Sequence, residues 1–159
     1  MNRTKEYIDL KGQSHSLADL DAEERALVRE LTDYAKGHDW NDYSNFWMPK
    51  VGEFYGKRGL ARQETRRTVV YRVAQDLGSR LAVAEGLARP PDYRDDLAEL
   101  IRTRFRTRRA FCEATGISED MLSHVLAGRK HLAIDTLTEA LGRIGYTLHI
   151  APLSEAKAS

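Results

Sequence analysis

One cysteine, Cys112, is too few for a disulfide within the chain, and its solitary use suits a reducing compartment. No stretch approaches ~18 uninterrupted apolar residues, so nothing in the sequence reads as a helix that crosses a bilayer. The start of the chain, Met1 to Gln13, is polar and lacks the basic start and apolar core of a secretory signal; a cytoplasmic location is expected. Metal signatures are missing too. The five histidines (His15, His38, His124, His131 and His149) are scattered, and there is no His-x-x-x-His or Cys-x-x-Cys pair. Nor is there a glycine-rich phosphate loop or a nucleophile-elbow sequence. The expectation is a chain without a metal site, without a cofactor and without enzymatic activity.

What is present has the balance of a globular protein, with 42% apolar and 31% charged residues. The net charge of +1 says little as a total, and the two sides of Pro90-Pro91 are each nearly neutral. The asymmetry is local. From Arg102 to Lys130 seven basic residues (Arg102, Arg104, Arg106, Arg108, Arg109, Arg129, Lys130) face three acids, Glu113, Glu119 and Asp120. A patch of that sign is the minimum footprint for a nucleic-acid partner, although a solvated helix face has the same composition.

Pro90-Pro91 is the clearest linker, because two prolines stop a helix and force an extended segment. It divides an N-terminal helical module, residues 1–91, from a second domain, residues 92–153, with a disordered tail at 154–159. In the first module, Asp21 and Glu24 form a capping box for a helix over residues 22–36, with Leu20, Leu27, Leu31 and Tyr34 as its stripe and Gly37 as its close. Residues 40–56 hold six of the thirteen aromatics (Trp40, Tyr43, Phe46, Trp47, Phe54, Tyr55), and Pro49 is expected to begin, kink or interrupt any helix there. These rings read as core; a pocket or partner groove built from Trp40, Phe46, Trp47 and Tyr55 is the alternative. Val70, Val73, Leu77, Leu81 and Ala84 predict one long helix over residues 62–87, with Arg62, Arg66 and Arg80 off the stripe. The first fifteen residues are expected to be frayed.

Residues 107–130 read TRRAFCEATGISEDMLSHVLAGRK. A helix over residues 108–115 turns Phe111 and Cys112 inward. Gly116 supplies the left-handed turn, and Ile117 plugs the gap. Ser118 caps the next helix, and Glu119 and Asp120 sit in its first turn where the helix dipole favours acids. Leu122 and Val125 face inward, and Gly128 ends the helix. This is the pattern of two short helices crossing steeply.

The segment resembles the helix-turn-helix of the Cro/phage-repressor (Xre-type, lambda-repressor-like) family. Residues 93–105 (YRDDLAELIRTRF) resemble the family's first helix, with Leu97, Leu100 and Ile101 inward. Residues 134–145 (IDTLTEALGRIG) resemble its closing helix, with Leu137, Leu141 and Ile144 inward. The resemblance implies an all-α fold and a sequence-specific, DNA-binding transcriptional repressor. By the family's docking, the helix over residues 118–127 enters the major groove of double-stranded DNA. Ser118, Glu119, Asp120, Met121, Ser123 and His124 are then the base-reader candidates. Two carboxylates facing a polyanion depart from the family's usual readers. Either one accepts from a cytosine amino group, or both only support the helix start. Arg108 and Arg109, at the start of the first motif helix, and Arg129, Lys130 and His131, after the second, are implied phosphate contacts. Cys112 fills a slot where the family has a small buried residue.

Tyr146, Leu148 and Ile150 alternate on one face, which predicts a short strand over residues 146–151. With no second strand evident in the sequence, its expected partner is the same strand of a second copy, making Tyr146, Leu148 and Ile150 a homodimer interface. This tail is similar to that of antitoxins of the HigA type, which adds an autorepressing antitoxin with a toxin partner to the readings. The rival class is a protein-interaction adaptor, in which the acidic recognition face or the N-terminal module binds another protein.

Overall fold

The computed structural model describes residues 6–150, which divide into two compact units, 6–90 and 91–150. The chain is mostly helical, with one small sheet. Among the described residues no helix is long and apolar enough to cross a membrane.

The first unit begins with a hairpin where fraying was expected. Strands β1 (Glu6–Ile8) and β2 (Ser14–Ser16) pair antiparallel, with Tyr7 opposite His15. Asp9 organises the turn: Oδ1 accepts from the Lys11 and Gln13 amides, and Oδ2 lies 2.9 Å from His15 Nε2. Gly12 supplies the positive φ of 82°. So short a hairpin is marginal alone. What holds it is Asp76, a buried carboxylate far along the chain. It accepts from Tyr7 Oη (2.5 Å), the Leu10 amide (2.8 Å) and Arg80 Nε (2.7 Å), while Arg80 Nη2 donates to the Ile8 carbonyl.

Helix α1 (Ala22–Gly37) starts at the Asp21–Glu24 capping box. Helix α2 (Trp40–Lys57) continues through Pro49, so of the expected outcomes the proline neither begins the helix nor interrupts it. Tyr43, Trp47, Val51 and Tyr55 recur every four residues and are all buried, whereas Asn45 and Pro49 are exposed. The hydrogen bond that proline removes therefore faces water, and core packing offsets the ~3 kcal/mol that proline costs an isolated helix.

The long helix expected over residues 62–87 is two helices, α3 (Arg62–Thr65) and α4 (Val69–Ala84). Thr68 divides them. Its hydroxyl donates to the Thr65 carbonyl (2.7 Å) and accepts from the Tyr71 amide (3.2 Å), closing one helix and capping the next. The core joins Leu27 and Leu31 of α1, the four buried residues of α2, and Val70 and Ala74 of α4. Of the aromatics considered for a pocket, Trp47 and Tyr55 are core, Phe46 stacks on Tyr34, and Trp40 is exposed.

The second unit consists of α5 (Tyr93–Arg104), α6 (Arg108–Thr115), α7 (Glu119–Leu126) and α8 (Ile134–Arg143). Asp92, Thr107 and Ser118 cap the first three with their side chains. Their inward faces meet in a core of Leu97, Ile101, Phe111, Cys112, Ile117, Leu122, Leu137 and Leu141.

The strand expected after α8 does not form within the described residues: 146–150 are irregular. A strand needs a hydrogen-bonded neighbour, and β1 and β2 pair with each other. The Tyr146 amide instead donates to the Leu141 carbonyl, closing α8. Tyr146, Leu148 and His149 then border a cavity of about 340 Å³ against Tyr93, Leu100 and Leu137. Residue 151 and the tail 154–159 lie outside the described residues.

Candidate nucleic-acid interface

Local chemistry explains the α6–α7 corner. Thr107 Oγ1 accepts from the Ala110 amide to start α6, and α6 ends at Gly116, whose φ of 79° is the left-handed conformation. Arg143, from α8, lies over this turn. Its Nη1 is 3.4 Å from the Thr115 carbonyl and 2.5 Å from where a Cβ on residue 116 would stand. The positive φ is what calls for glycine here, since the end of the flexible Arg143 side chain could move aside for a Cβ. Ile117 enters the core, and Ser118 Oγ accepts from the Met121 amide to start α7.

The structure sorts the reader candidates. Ser118 is exposed, but its oxygen is engaged in the cap. Met121 is half-buried and packs on the core. Glu119, Asp120 and Ser123 are exposed. His124 is half-buried within a chain of polar groups. Arg129 Nε donates to His124 Nδ1 (2.9 Å), and His124 Nε2 stands 3.5 Å from Asp120 Oδ1. A guanidinium only donates, so Nδ1 is the acceptor and the ring proton sits on Nε2, towards Asp120. Asp120 thus shares its surroundings with an imidazole N–H and, beyond it, a guanidinium.

The phosphate candidates fall into two groups. Arg108 and Lys130 are exposed and make no ion pair among the described residues. Arg109 is tied to Glu113 (3.2 Å) within α6, and Arg129 is bound to His124. At the end of α5, Arg102 pairs with Glu99 (2.7 Å) and Arg104 is exposed, as is Arg106 between α5 and α6.

His131 brings in a residue that sequence reasoning missed. Arg94, at the start of α5, is 7% exposed. Its Nη2 lies 2.7 and 3.0 Å from the two ring nitrogens of His131, and its Nη1 lies 3.5 Å from Asp92 Oδ2. Arg94 Nε is buried and has no hydrogen-bond partner among the described residues. With Tyr93 Oη accepting from the Leu132 amide (3.0 Å), it pins the α7–α8 loop to α5. In the sequence this region shows only an amphipathic helix, and nothing in that pattern signals a buried arginine.

Cys112 is buried. Burial, followed by the charges of Glu119 and Glu113, pushes its thiol pKa up, away from the reactive thiolate.

No protein-family model, curated protein or solved structure matches this chain.

Proposed function

We propose that the protein is a sequence-specific regulator that binds double-stranded DNA, with α7 in the major groove and α6 across the backbone. The observation that carries this reading is the α6–turn–α7 corner, built around Gly116 and Ile117, with a cation at each outer end that makes no ion pair among the described residues. Arg108 opens α6 and Lys130 follows α7, the positions where a helix-turn-helix meets phosphates. Glu119, Asp120 and Ser123 present polar groups to base edges, with His124 and Arg129 behind them.

The deciding experiment is binding to an operator duplex, obtained by selection from random sequence, across a range of salt. Arg108→Ala and Lys130→Ala should each weaken binding to operator and random duplex alike, and lower the salt slope by about 0.9 for each phosphate that is no longer neutralised. Binding that ignores salt sinks the reading.

A second reading, a protein-interaction adaptor, is favoured by one observation: Glu119 and Asp120 are both exposed at the start of α7. Asp120→Asn separates the two. In a DNA reader the change tightens random-duplex binding by removing repulsion, or relaxes preference at one base pair by ~1–3 kcal/mol if Asp120 accepts from cytosine. In an adaptor it does neither.

The regulator acts as a homodimer in this proposal. Leu148 and Ile150 are large apolar residues left 42% and 97% exposed. Backbone 147–150, irregular in a single chain, is available to pair with its copy. Leu148→Asp should then shift the protein towards monomer in sedimentation, and a variant that stays dimeric removes this interface. An autorepressing antitoxin is the version in which the same dimer also holds a toxin.

A further inference from the structure

The first unit carries a run of arginines that no other group among the described residues engages. Most of its basic side chains are committed internally. Arg58 binds Asp21 and Glu23, both at 2.7 Å, Arg80 binds Asp76, Lys50 pairs with Glu30, and Lys57 pairs with Glu53 at 2.9 Å. Arg25 donates to the Ala18 carbonyl. The stretch through α3 into α4 differs. Arg62, Arg66, Arg67 and Arg72 lie there, and among the described residues none has a side-chain hydrogen bond or an ion pair.

The backbone brings them together. The Arg66 amide bonds the Arg62 carbonyl (3.3 Å), which sets these two side chains one helical turn apart on one face, roughly 5–6 Å between Cβ atoms. Arg67 follows directly in the turn that Thr68 closes, and Arg72 lies in the first turn of α4. The acid within the stretch, Glu64, is occupied by the Ala61 amide at 2.7 Å as the cap of α3. Four guanidinium forks against one engaged carboxylate form a surface for a polyanion. Planar forks suit phosphate oxygens, which they meet two bonds at a time.

We propose that Arg62, Arg66, Arg67 and Arg72 form a second, sequence-independent phosphate-binding surface, which engages the backbone of the same duplex that α7 reads. The inference rests on the DNA-binding reading above and adds to it a role for the first unit. Two weak sites on one chain act together, since binding by one raises the effective concentration of the other. The second surface contributes affinity and salt dependence, and it leaves sequence preference to α7.

The test uses the full chain carrying R62Q/R66Q/R67Q/R72Q, beside the same four positions changed to Lys and beside Arg108→Ala. Affinity for operator and random duplexes is measured across salt, with circular dichroism confirming the fold of each variant. The Gln variant should lower the salt slope by up to about 3–4 units per bound chain and weaken both duplexes by the same factor, so that their ratio is unchanged. The Lys variant should keep the wild-type slope, because it keeps the charge. A Gln variant with wild-type slope and affinity, while Arg108→Ala lowers both, overturns this inference and leaves the DNA-binding reading intact; an acidic protein would then be the partner of the patch. Wild-type protein without salt-dependent duplex binding overturns both.

Discussion

Residues 6–90 and residues 91–150 are both small helical units with one apolar core each, yet they spend their polar groups differently. In the first unit, ring hydroxyls reach far along the chain. Tyr7 bonds Asp76 across 69 residues, and Tyr43 and Tyr55 bond the Ala74 carbonyl and Glu24, each across 31. Burial, and for Tyr7 and Tyr55 the hydrogen bond to a carboxylate, raise all three phenol pKa values well above the usual range. In the second unit most capping bonds span two or three residues, at Asp92, Thr107 and Ser118, and the longer bonds come from Tyr93, Arg94 and Arg143 at the loops. The first unit is thus tied by contacts between distant parts of the chain, and the second by local signals around a compact core. Both units nevertheless leave cations facing outward, Arg108 and Lys130 in the second and the arginines from Arg62 to Arg72 in the first.

The largest effect should come from the second core. Phe111 is fully buried and meets Phe105 edge-on, so Phe111→Ala should cost about 3–5 kcal/mol. Both tryptophans, Trp40 and Trp47, lie in the first unit. Denaturation of this variant should therefore show an early loss of helical circular dichroism while tryptophan fluorescence stays native. Coincident transitions would mean that the two cores do not unfold separately.

Next is Asp76→Ala. It strips acceptors from Tyr7, the Leu10 amide and Arg80, and should cost about 3 kcal/mol. Amide exchange at residues 6–16 should rise more than elsewhere. Unchanged protection there would show that the hairpin does not depend on this anchor.

Two glycines, one from each unit, should respond with opposite signs. Gly116→Ala places a Cβ at positive φ and displaces the end of the Arg143 side chain, and should destabilise by about 1–2 kcal/mol. Gly78 lies inside α4, where a Cβ would meet the Tyr43 ring at an ordinary 3.5 Å. Gly78→Ala should stabilise by about 0.5–1 kcal/mol in denaturant. Destabilisation by Gly78→Ala would show a tighter α2–α4 contact than the distances indicate.

The smallest effect concerns acid. The bond from Arg58, helped by the Glu24 amide, lowers the Asp21 pKa from 3.8 to about 2. A depressed carboxyl stabilises the folded state above its unfolded value, and that stability is lost as pH falls through the folded one. The thermal midpoint should therefore decline between about pH 4 and 2, and Arg58→Ala should flatten that part of the profile. An unaltered profile would show that the exposed pair contributes nothing, as many surface pairs do.

Much of the second unit was legible because its signals are short-range. Gly116, Ile117 and Ser118 specify a helix end, a plug and a helix start within three consecutive residues. The start of α1 was legible for the same reason, since Asp21 and Glu24 cap each other. The break at Thr68 carried a signal as well, a capping residue before Val69, but the apolar period running on through α4 concealed it. The alternation of Tyr146, Leu148 and Ile150 forms no strand in the single chain, because period two marks a strand only where a neighbour offers hydrogen bonds.

Composition, periodicity and caps in the sequence by themselves determined a mostly helical chain, the start of α1 and the corner between α6 and α7, since each depends on residues within a turn of one another. The tertiary structure alone decided that Pro49 stays inside a helix, that Asp76 holds a hairpin, that Arg94 is buried beneath His131 and that Arg129 is bound to His124 while Lys130 makes no ion pair among the described residues. Each of those outcomes depends on which distant groups meet and on how much water they lose in meeting, and one-dimensional spacing encodes neither.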